Sequence, residues 1–561
     1  MNKISGVACA AAIIVAMTGC NKKLNQFEAD YFTTNPNPLE LVGTHVPATV
    51  TARVPAKFFV KNASVVVTPV LVYGNYQTAG SPVGVQGEKV RGNYQVINYN
   101  NGGTVTIPVD YLYNEAMIKS KLFLDFNVTQ GSKKYVLPRV QVATGVLSTA
   151  DLASAESVKP AIAPDKFQRI IQEKYSAEIK FLINRANIRP DQLTTPQMQA
   201  FNRDLRSVDS DTSRQITELN ISSYASPDGS YAFNTKLAEQ REINTTAYLE
   251  GQLKKDKITE FGELTAQFTP EDWEGFQQLV AASNIQDKDL ILSVLSMYKD
   301  PEEREREIRN LSSVFEQLEE QIMPQLRYSR LTATVDVIGK SDAEINRLFD
   351  TDPSKLSDDE LLYAATLTDN LDRKKAIYET ATKLYPNDYR GYNNLAAIEF
   401  EQGDYEDAKE ALAKAERLNP KSEEVQMNIG LVDLVYTDYA GAERAFGNAA
   451  GLPELGDALG VYYLKKGDVS AAVKALGNDK TNNAAVAQIL AGDYSKAKST
   501  LSGIAKPDAT TYYLMAILGA RNDNSQMVLS NIRQAVKLNP EYAQRAADDL
   551  EFAKYNLSGA I

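Results

Sequence analysis

The chain has 561 residues, a formal net charge of −12, one histidine and two cysteines. That acidic balance argues against nucleic acid as a partner. So few thiols and imidazoles exclude a disulfide framework and Cys-based metal sites, and remove most zinc chemistry and most histidine-based triads.

In the first twenty residues, Lys3 gives a positive start and Ile4 to Ala16 form a short, mostly apolar core. Met17-Thr18-Gly19-Cys20 closes it with small residues before a cysteine. The run is too short to span a bilayer, and its flanks read as a secretion signal over residues 1–20. The cysteine at the cleavage point resembles the lipobox of bacterial lipoproteins, with Met17 where leucine is usual. The resemblance implies that Cys20 is lipidated and becomes the mature N-terminus, anchoring the chain to a membrane. The alternative is an ordinary signal cut near an incidental cysteine. Cys9 lies inside the signal, and no later apolar run reaches spanning length. Residues 21–37 read as a linker. Asn21-Lys22-Lys23-Leu24 carries no acidic run of the sort that exports such lipoproteins to the cell surface, which favours a periplasmic location.

Residues 38–150 are rich in Val, Tyr, Thr and Gly, and His45 near their start reads as structural. Ser64 to Tyr73 is a β-type run, and Asn101-Gly102-Gly103 breaks the chain before Thr104 to Ile107. Leu122, Leu124, Phe126 and Val128 alternate with outward positions, the period of a half-buried strand. Pro69 and Pro138 suit edge strands or bulges. A β-sandwich is expected, of immunoglobulin-like type, with no cluster of catalytic residue types.

Residues 165–345 read as an α/β layer. Ile179, Phe181 and Ile183 alternate, and Arg189-Pro190-Asp191 starts a helical segment. A strand from Ile216 to Tyr224 ends in the turn Ala225-Ser226-Pro227-Asp228-Gly229. A helix follows from Asn234 to Leu249, and a further strand is expected over Leu331 to Val337. Phe181 to Pro190, together with Gly229, Asn234, Leu237, Arg241 and Tyr248-Leu249, resemble the OmpA-like domain that many Gram-negative envelope proteins use to hold peptidoglycan. There Phe181 to Pro190 would be the opening strand and its turn. Arg327 and Arg330 sit where that family often places arginines before its last strand.

The resemblance implies a site in which an aspartate of the turn and an arginine of the helix read the ammonium and carboxylate of diaminopimelate. Arg241 retains the guanidinium, a fork suited to a carboxylate. Ser226 stands at the aspartate position and cannot balance an amine, with Asp228 two residues on. Glu242 replaces the small residue that usually follows the arginine. The peptidoglycan site implied is therefore Arg241, Asn234, Ser226, Asp228, Arg327 and Arg330. The alternative is the same fold kept as a scaffold without that ligand.

A long charged insertion is expected at about residues 252–325. Thr269-Pro270-Glu271-Asp272 starts a helix there. Leu311, Val314, Phe315 and Leu318 have helical spacing, and Trp273 reads as core.

The last third, from residue 355 to 561, is repetitive. In the set Leu395, Ala396, Gly403, Tyr405, Ala408, Leu412, Ala415 and Pro420, all but Gly403 and Pro420 recur 34 residues later, as Ile429, Gly430, Tyr439, Ala442, Phe446 and Ala449. Leu459-Gly460, Gly467, Ala472 and Leu476 give a shorter copy, Gly492, Tyr494 and Ala497 a truncated one, and Tyr512, Ala516, Ile532, Ala535 and Pro540 a last. A degenerate first copy ends at Tyr385-Pro386. These residues resemble the tetratricopeptide repeat (TPR), which implies five or six stacked helical hairpins and a concave face for an extended peptide or a partner helix. Tyr462, Tyr463, Tyr512 and Tyr513 are candidates either for that face or for packing.

The fold expected is thus multidomain: an N-terminal β-sandwich, a central α/β OmpA-like domain with a helical insertion, and a C-terminal all-α TPR solenoid. The set of domains resembles envelope lipoproteins of the Bacteroidetes. It implies a non-enzymatic protein lipid-anchored in the outer membrane and facing the periplasm, with peptidoglycan under one domain and an unidentified protein partner on the repeats. The alternative is a scaffold or accessory subunit of an outer-membrane secretion, motility or uptake complex, without wall binding. No Walker, Rossmann or nucleophile-elbow pattern is present, and no cofactor, metal or catalytic residue is expected.

Overall fold

The computed structural model describes residues 23–285, 287–310 and 312–561. The signal and Cys20 lie outside the described residues, as does Leu311; the Val314 side chain is likewise not described. No described helix is long and apolar enough to cross a membrane. The chain forms two compact units. One joins the residues up to Pro164 with Asp369–Ile561, and the other is Asp165–Thr368.

The first unit begins as a sheet-rich region. His45–Val54 lies between Phe32–Asn35 and Gly103–Leu112 in an antiparallel three-stranded sheet. A second sheet runs Lys133–Thr144, Lys121–Gln130, Ala63–Tyr73, Val83–Gly87 and Gln95–Ile97. Alternate residues point into one shared core. Val46, Val50, Ile107 and Val109 come from the first sheet and Leu122, Leu124, Phe126 and Val128 from the second, all buried. Pro138 falls at a bulge in the edge strand Lys133–Thr144. Pro69 falls where Ala63–Tyr73 changes partner, from Val83–Gly87 to Tyr76–Ala79. The described part of the expected linker, residues 23–37, belongs to this fold. Leu24 and Phe27 are buried in the core, and the Phe27 ring stacks on Phe126 at 4.6 Å. Leu24 and Phe27 anchor the start of that segment, and Phe32–Asn35 fixes its end by pairing with His45–Val54.

The repeats complete this unit. Helical hairpins pair Tyr389–Gln402 with Tyr405–Leu418, Glu423–Val435 with Tyr439–Gly447, and Leu455–Lys466 with Val469–Leu476. Asn482–Leu490 with Tyr494–Ser502 and Ala509–Arg521 with Ser525–Leu538 follow, and Leu371–Leu384 precedes them. Small residues let the helices of a hairpin close. A Cβ on Gly430 would stand 2.4 Å from the Phe446 ring. Gly403 turns the first hairpin in the left-handed region at φ +84, where a side chain is strained. The repeat array starts at Asp369, later than the expected 355. Helix Asp358–Ala364 belongs to the other unit, where Glu360 pairs with Lys340 at 2.9 Å and Tyr363 packs on Phe167.

The second unit is a four-stranded sheet in the order Ile170–Lys180, Tyr328–Ile338, Arg214–Tyr224, Glu263–Thr269, antiparallel except for its last pair. Helix Pro196–Asp209 lays Met198, Phe201, Leu205 and Val208 on the sheet residues Ile179, Leu219 and Leu331. Helix Tyr231–Asp256 adds Leu249 and Leu253 to the same core. Two expectations need correction. The first strand is Ile170–Lys180, and Leu182 and Ile183 beyond it are half exposed, because the backbone there turns off the sheet toward Arg241. The insertion is not wholly helical: Glu263–Thr269 adds a parallel edge strand whose side chains are exposed or half-buried, so no buried alternation marks it in the sequence. Helices Trp273–Ala282, Lys288–Met297, Pro301–Asn310 and Ser312–Gln321 then form a satellite core around Phe276, Ile291, Ile308 and Leu318.

Candidate functional site

The strand Arg214–Tyr224 delivers the turn that carries Ser226 and Asp228, and the helix Tyr231–Asp256 follows it at once with Asn234 and Arg241 on its buried face. Arg327 enters from the residue before the strand Tyr328–Ile338. Five of the six expected site residues therefore come together. Arg330 stands apart, on the sheet, bonded to Glu178 at 2.9 Å with its side chain 46% exposed.

The geometry shows how those five are used. Arg241 is fully buried. Its Nε donates to the carbonyl of Arg185 at 3.1 Å, Nη1 to that of Tyr224 at 2.7 Å and Nη2 to that of Leu182 at 3.3 Å. Its guanidinium lies over the Phe181 ring at 5.0 Å. Burial first, and then the charge of Arg327, lower its pKa to about 10 against the opposing pull of Asp228. Asp228 does not bond to Arg241. One of its oxygens accepts from Arg327 Nη2 at 2.6 Å and the other from the Ser226 hydroxyl at 2.8 Å. That hydroxyl in turn accepts from Arg327 Nε at 3.0 Å. Asn234 donates to the Gly229 carbonyl and to Glu271, whose other oxygen accepts from the Trp273 indole. Burial raises the Glu271 pKa. Glu242 is occupied by the Thr246 hydroxyl. The arrangement thus ties turn, helix and last strand together by charge-assisted bonds.

A second site lies in the first unit. Between the sheets and Asp165, residues Ser154–Pro164 run along the first helices of the repeat hairpins, as a 3-10 turn over Ala155–Ser157 and then extended from Val158 to Pro164. Asparagine carboxamides bind them as a neighbouring strand would, accepting from N–H and donating to C=O. Asn428 accepts from the Ala161 amide at 2.7 Å and donates to its carbonyl at 2.8 Å. Asn394 does the same for Ala163, at 2.7 and 3.0 Å. Asn483 does so for Ser154, at 3.1 and 3.2 Å. Asn393 adds a second bond to the Ala161 carbonyl at 3.0 Å and accepts from Asn428. All four asparagines are buried. Ala155, Val158 and Ala161 of the segment join the core of the repeats.

A family model of the tetratricopeptide repeat matches residues 377–410. The C-terminal region carries tetratricopeptide repeats. No curated protein matches the chain. Similar solved structures include a TPR protein from Parabacteroides merdae, at 15% identity and a TM-score of 0.30 over 36% of this chain and 88% of that one. Pseudomonas aeruginosa PilF is similar at 16% identity and 0.28 over 37% and 100%. YrrB, a TPR protein with an unusual peptide-binding site, is similar at 21% and 0.23 over 30% and 97%. Arrays of this kind are protein-interaction scaffolds.

Of the tyrosines considered for the TPR face, Tyr462 and Tyr513 are buried packing residues, the latter donating to Asp549 at 2.8 Å. Tyr463 and Tyr512 are half-buried against the repeat core. The asparagines escaped sequence analysis although a signal was present. Asn394 and Asn428 stand 34 residues apart, each directly before a packing pair of its TPR repeat, and Asn483 precedes Ala484-Ala485 in the same way.

Proposed function

We propose that this chain is a non-catalytic scaffold of a Gram-negative outer membrane, lipid-anchored through Cys20 and facing the periplasm. In it an OmpA-like fold is kept as a framework that does not hold peptidoglycan. The TPR region serves a protein partner, as an accessory subunit of a secretion, motility or uptake complex would. One observation carries this choice over wall binding: each polar group that would meet diaminopimelate is already committed inside the protein. Arg241 gives its nitrogens to three main-chain carbonyls, and Asp228 and Ser226 are engaged by Arg327. Turning them outward would strand buried carbonyls and an unpaired arginine, which is costly. The lipid anchor rests on the sequence of residues 1–20.

The test is co-sedimentation of the lipid-free chain, starting at Asn21, with purified sacculi. The chain is expected to stay in the supernatant. Pelleting that free diaminopimelate stem peptide competes away would overturn the scaffold reading in favour of a membrane-to-wall tether. For the anchor, Cys20→Ala is expected to move the protein from the membrane fraction to the soluble one.

A further inference from the structure

We infer that residues Ser154–Pro164 are a built-in ligand of the TPR asparagines: beyond the 3-10 turn Ala155–Ser157 the site takes the main chain of an extended, small-residue peptide, and an outside peptide of that chemistry enters only by displacing this segment. The inference goes beyond the scaffold reading and is independent of whether the α/β unit holds peptidoglycan.

The recognition is of backbone. An asparagine carboxamide presents one acceptor and two donors, the complement of one residue's N–H and C=O. Asn428 and Asn394 serve Ala161 and Ala163, two residues apart and so on the same side of an extended chain. The side chains on that side are alanine, and both are almost fully buried, so anything larger meets helix. Side chains facing away, Glu156, Lys159 and Ile162, are exposed and unselected. Pro160 and Pro164 fix the extended form, since each restrains itself and the residue before it. The ligand class follows: alternate alanines or similarly small residues, set between prolines, free of charge on the inward side.

Occupancy by the chain's own segment raises the threshold for an outside ligand. The segment is continuous with the sheets on one side and with Asp165 on the other, which gives it an effective concentration in the order of millimolar. A free peptide of equal intrinsic affinity must reach that level to displace half of it.

Two measurements on the full chain test this. Fluorescence anisotropy is read with a labelled peptide of the sequence Leu152–Asp165, against the wild type and against Ala161→Asp/Ala163→Asp, which expels the internal copy. Binding is expected to be at least tenfold tighter to the variant and to be lost when Asn428→Ala is added. Equal binding to wild type and variant, or none to a variant that retains its helical circular dichroism, overturns the inference. Amide hydrogen exchange is the second measurement, and its deciding result is read on the wild type alone. The Ser154, Ala161 and Ala163 amides are expected to be protected, and Asn428→Ala to speed exchange at Ala161 about tenfold while sparing Ser154. Unprotected Ala161 and Ala163 amides in the wild type would overturn it outright.

Discussion

Replacing Arg241 by methionine separates a structural guanidinium from one kept free for a ligand. The side chain is fully buried and donates to the carbonyls of Arg185, Tyr224 and Leu182. Methionine keeps much of the volume and the contact with Phe181 but leaves three acceptors without that donor. Hydrogen bonds from a charged donor contribute roughly 1.5 kcal/mol each at the low end, so the gross loss over three is about 4.5 kcal/mol. Relief of burying a charge returns roughly 1–2 kcal/mol, for a net loss of about 2.5–3.5 kcal/mol. In a unit of this size that is a drop in Tm of about 5–10 °C. The only tryptophan, Trp273, lies in the same unit, so its fluorescence follows that unit's unfolding in urea or on heating. Arg330→Met is the control, an exposed pair with Glu178 expected to cost about 0–1 kcal/mol. If Arg241→Met shifts the Trp273 transition no more than Arg330→Met does, the guanidinium is not built into the fold and the case against wall binding fails.

Asp228→Asn removes the charge that Arg327 faces at 2.6 Å in a nearly buried pair, and should cost the unit about 3 kcal/mol of stability, read from the same Trp273 transition. Gly430→Ala drives a methyl into the Phe446 ring and should cost about 2 kcal/mol in the thermal transition read by circular dichroism at 222 nm. In the TPR region burial raises Glu399 to about 7 and Asp457 to about 6, so the folded chain holds protons that the unfolded chain releases near 4.5 and 3.8. Stability should therefore rise as pH falls from 8 to about 5, and Glu399→Gln should flatten the part of that rise near pH 7, both read from thermal midpoints across the range.

Much of this architecture can be read from the sequence where burial is periodic. Leu122 to Val128 announce a strand by alternation, and the small residues at a spacing of 34 announce the paired helices. What escapes is whatever owes its form to distant partners. Glu263–Thr269 is a strand only because Arg214–Tyr224 offers an edge, and Leu24 and Phe27 are core only because Phe126 receives them. Ser154–Pro164 looks like a plain connector, since its hydrogen-bond partners lie 231 to 329 residues further on. Spacing placed Arg241 beside the turn of Ser226 and Asp228, but not the direction of its nitrogens, which the carbonyls of Leu182, Tyr224 and Arg185 decide.

The discontinuity of the first unit bears on how the chain acquires its shape. Its sheets and the segment Ser154–Pro164 emerge early, whereas the asparagines that hold the segment come after the whole of Asp165–Thr368. The second unit is contiguous and can close as soon as it is made. The first has to keep Ala155, Val158 and Ala161 out of wrong pairings until the helices from Tyr389–Gln402 to Leu455–Lys466 arrive, and contacts of such long range form slowly. A chain cut short within the repeats would release an unpartnered apolar segment, a substrate for chaperones and proteases, so truncation should deplete the protein more sharply than substitutions that only weaken a repeat.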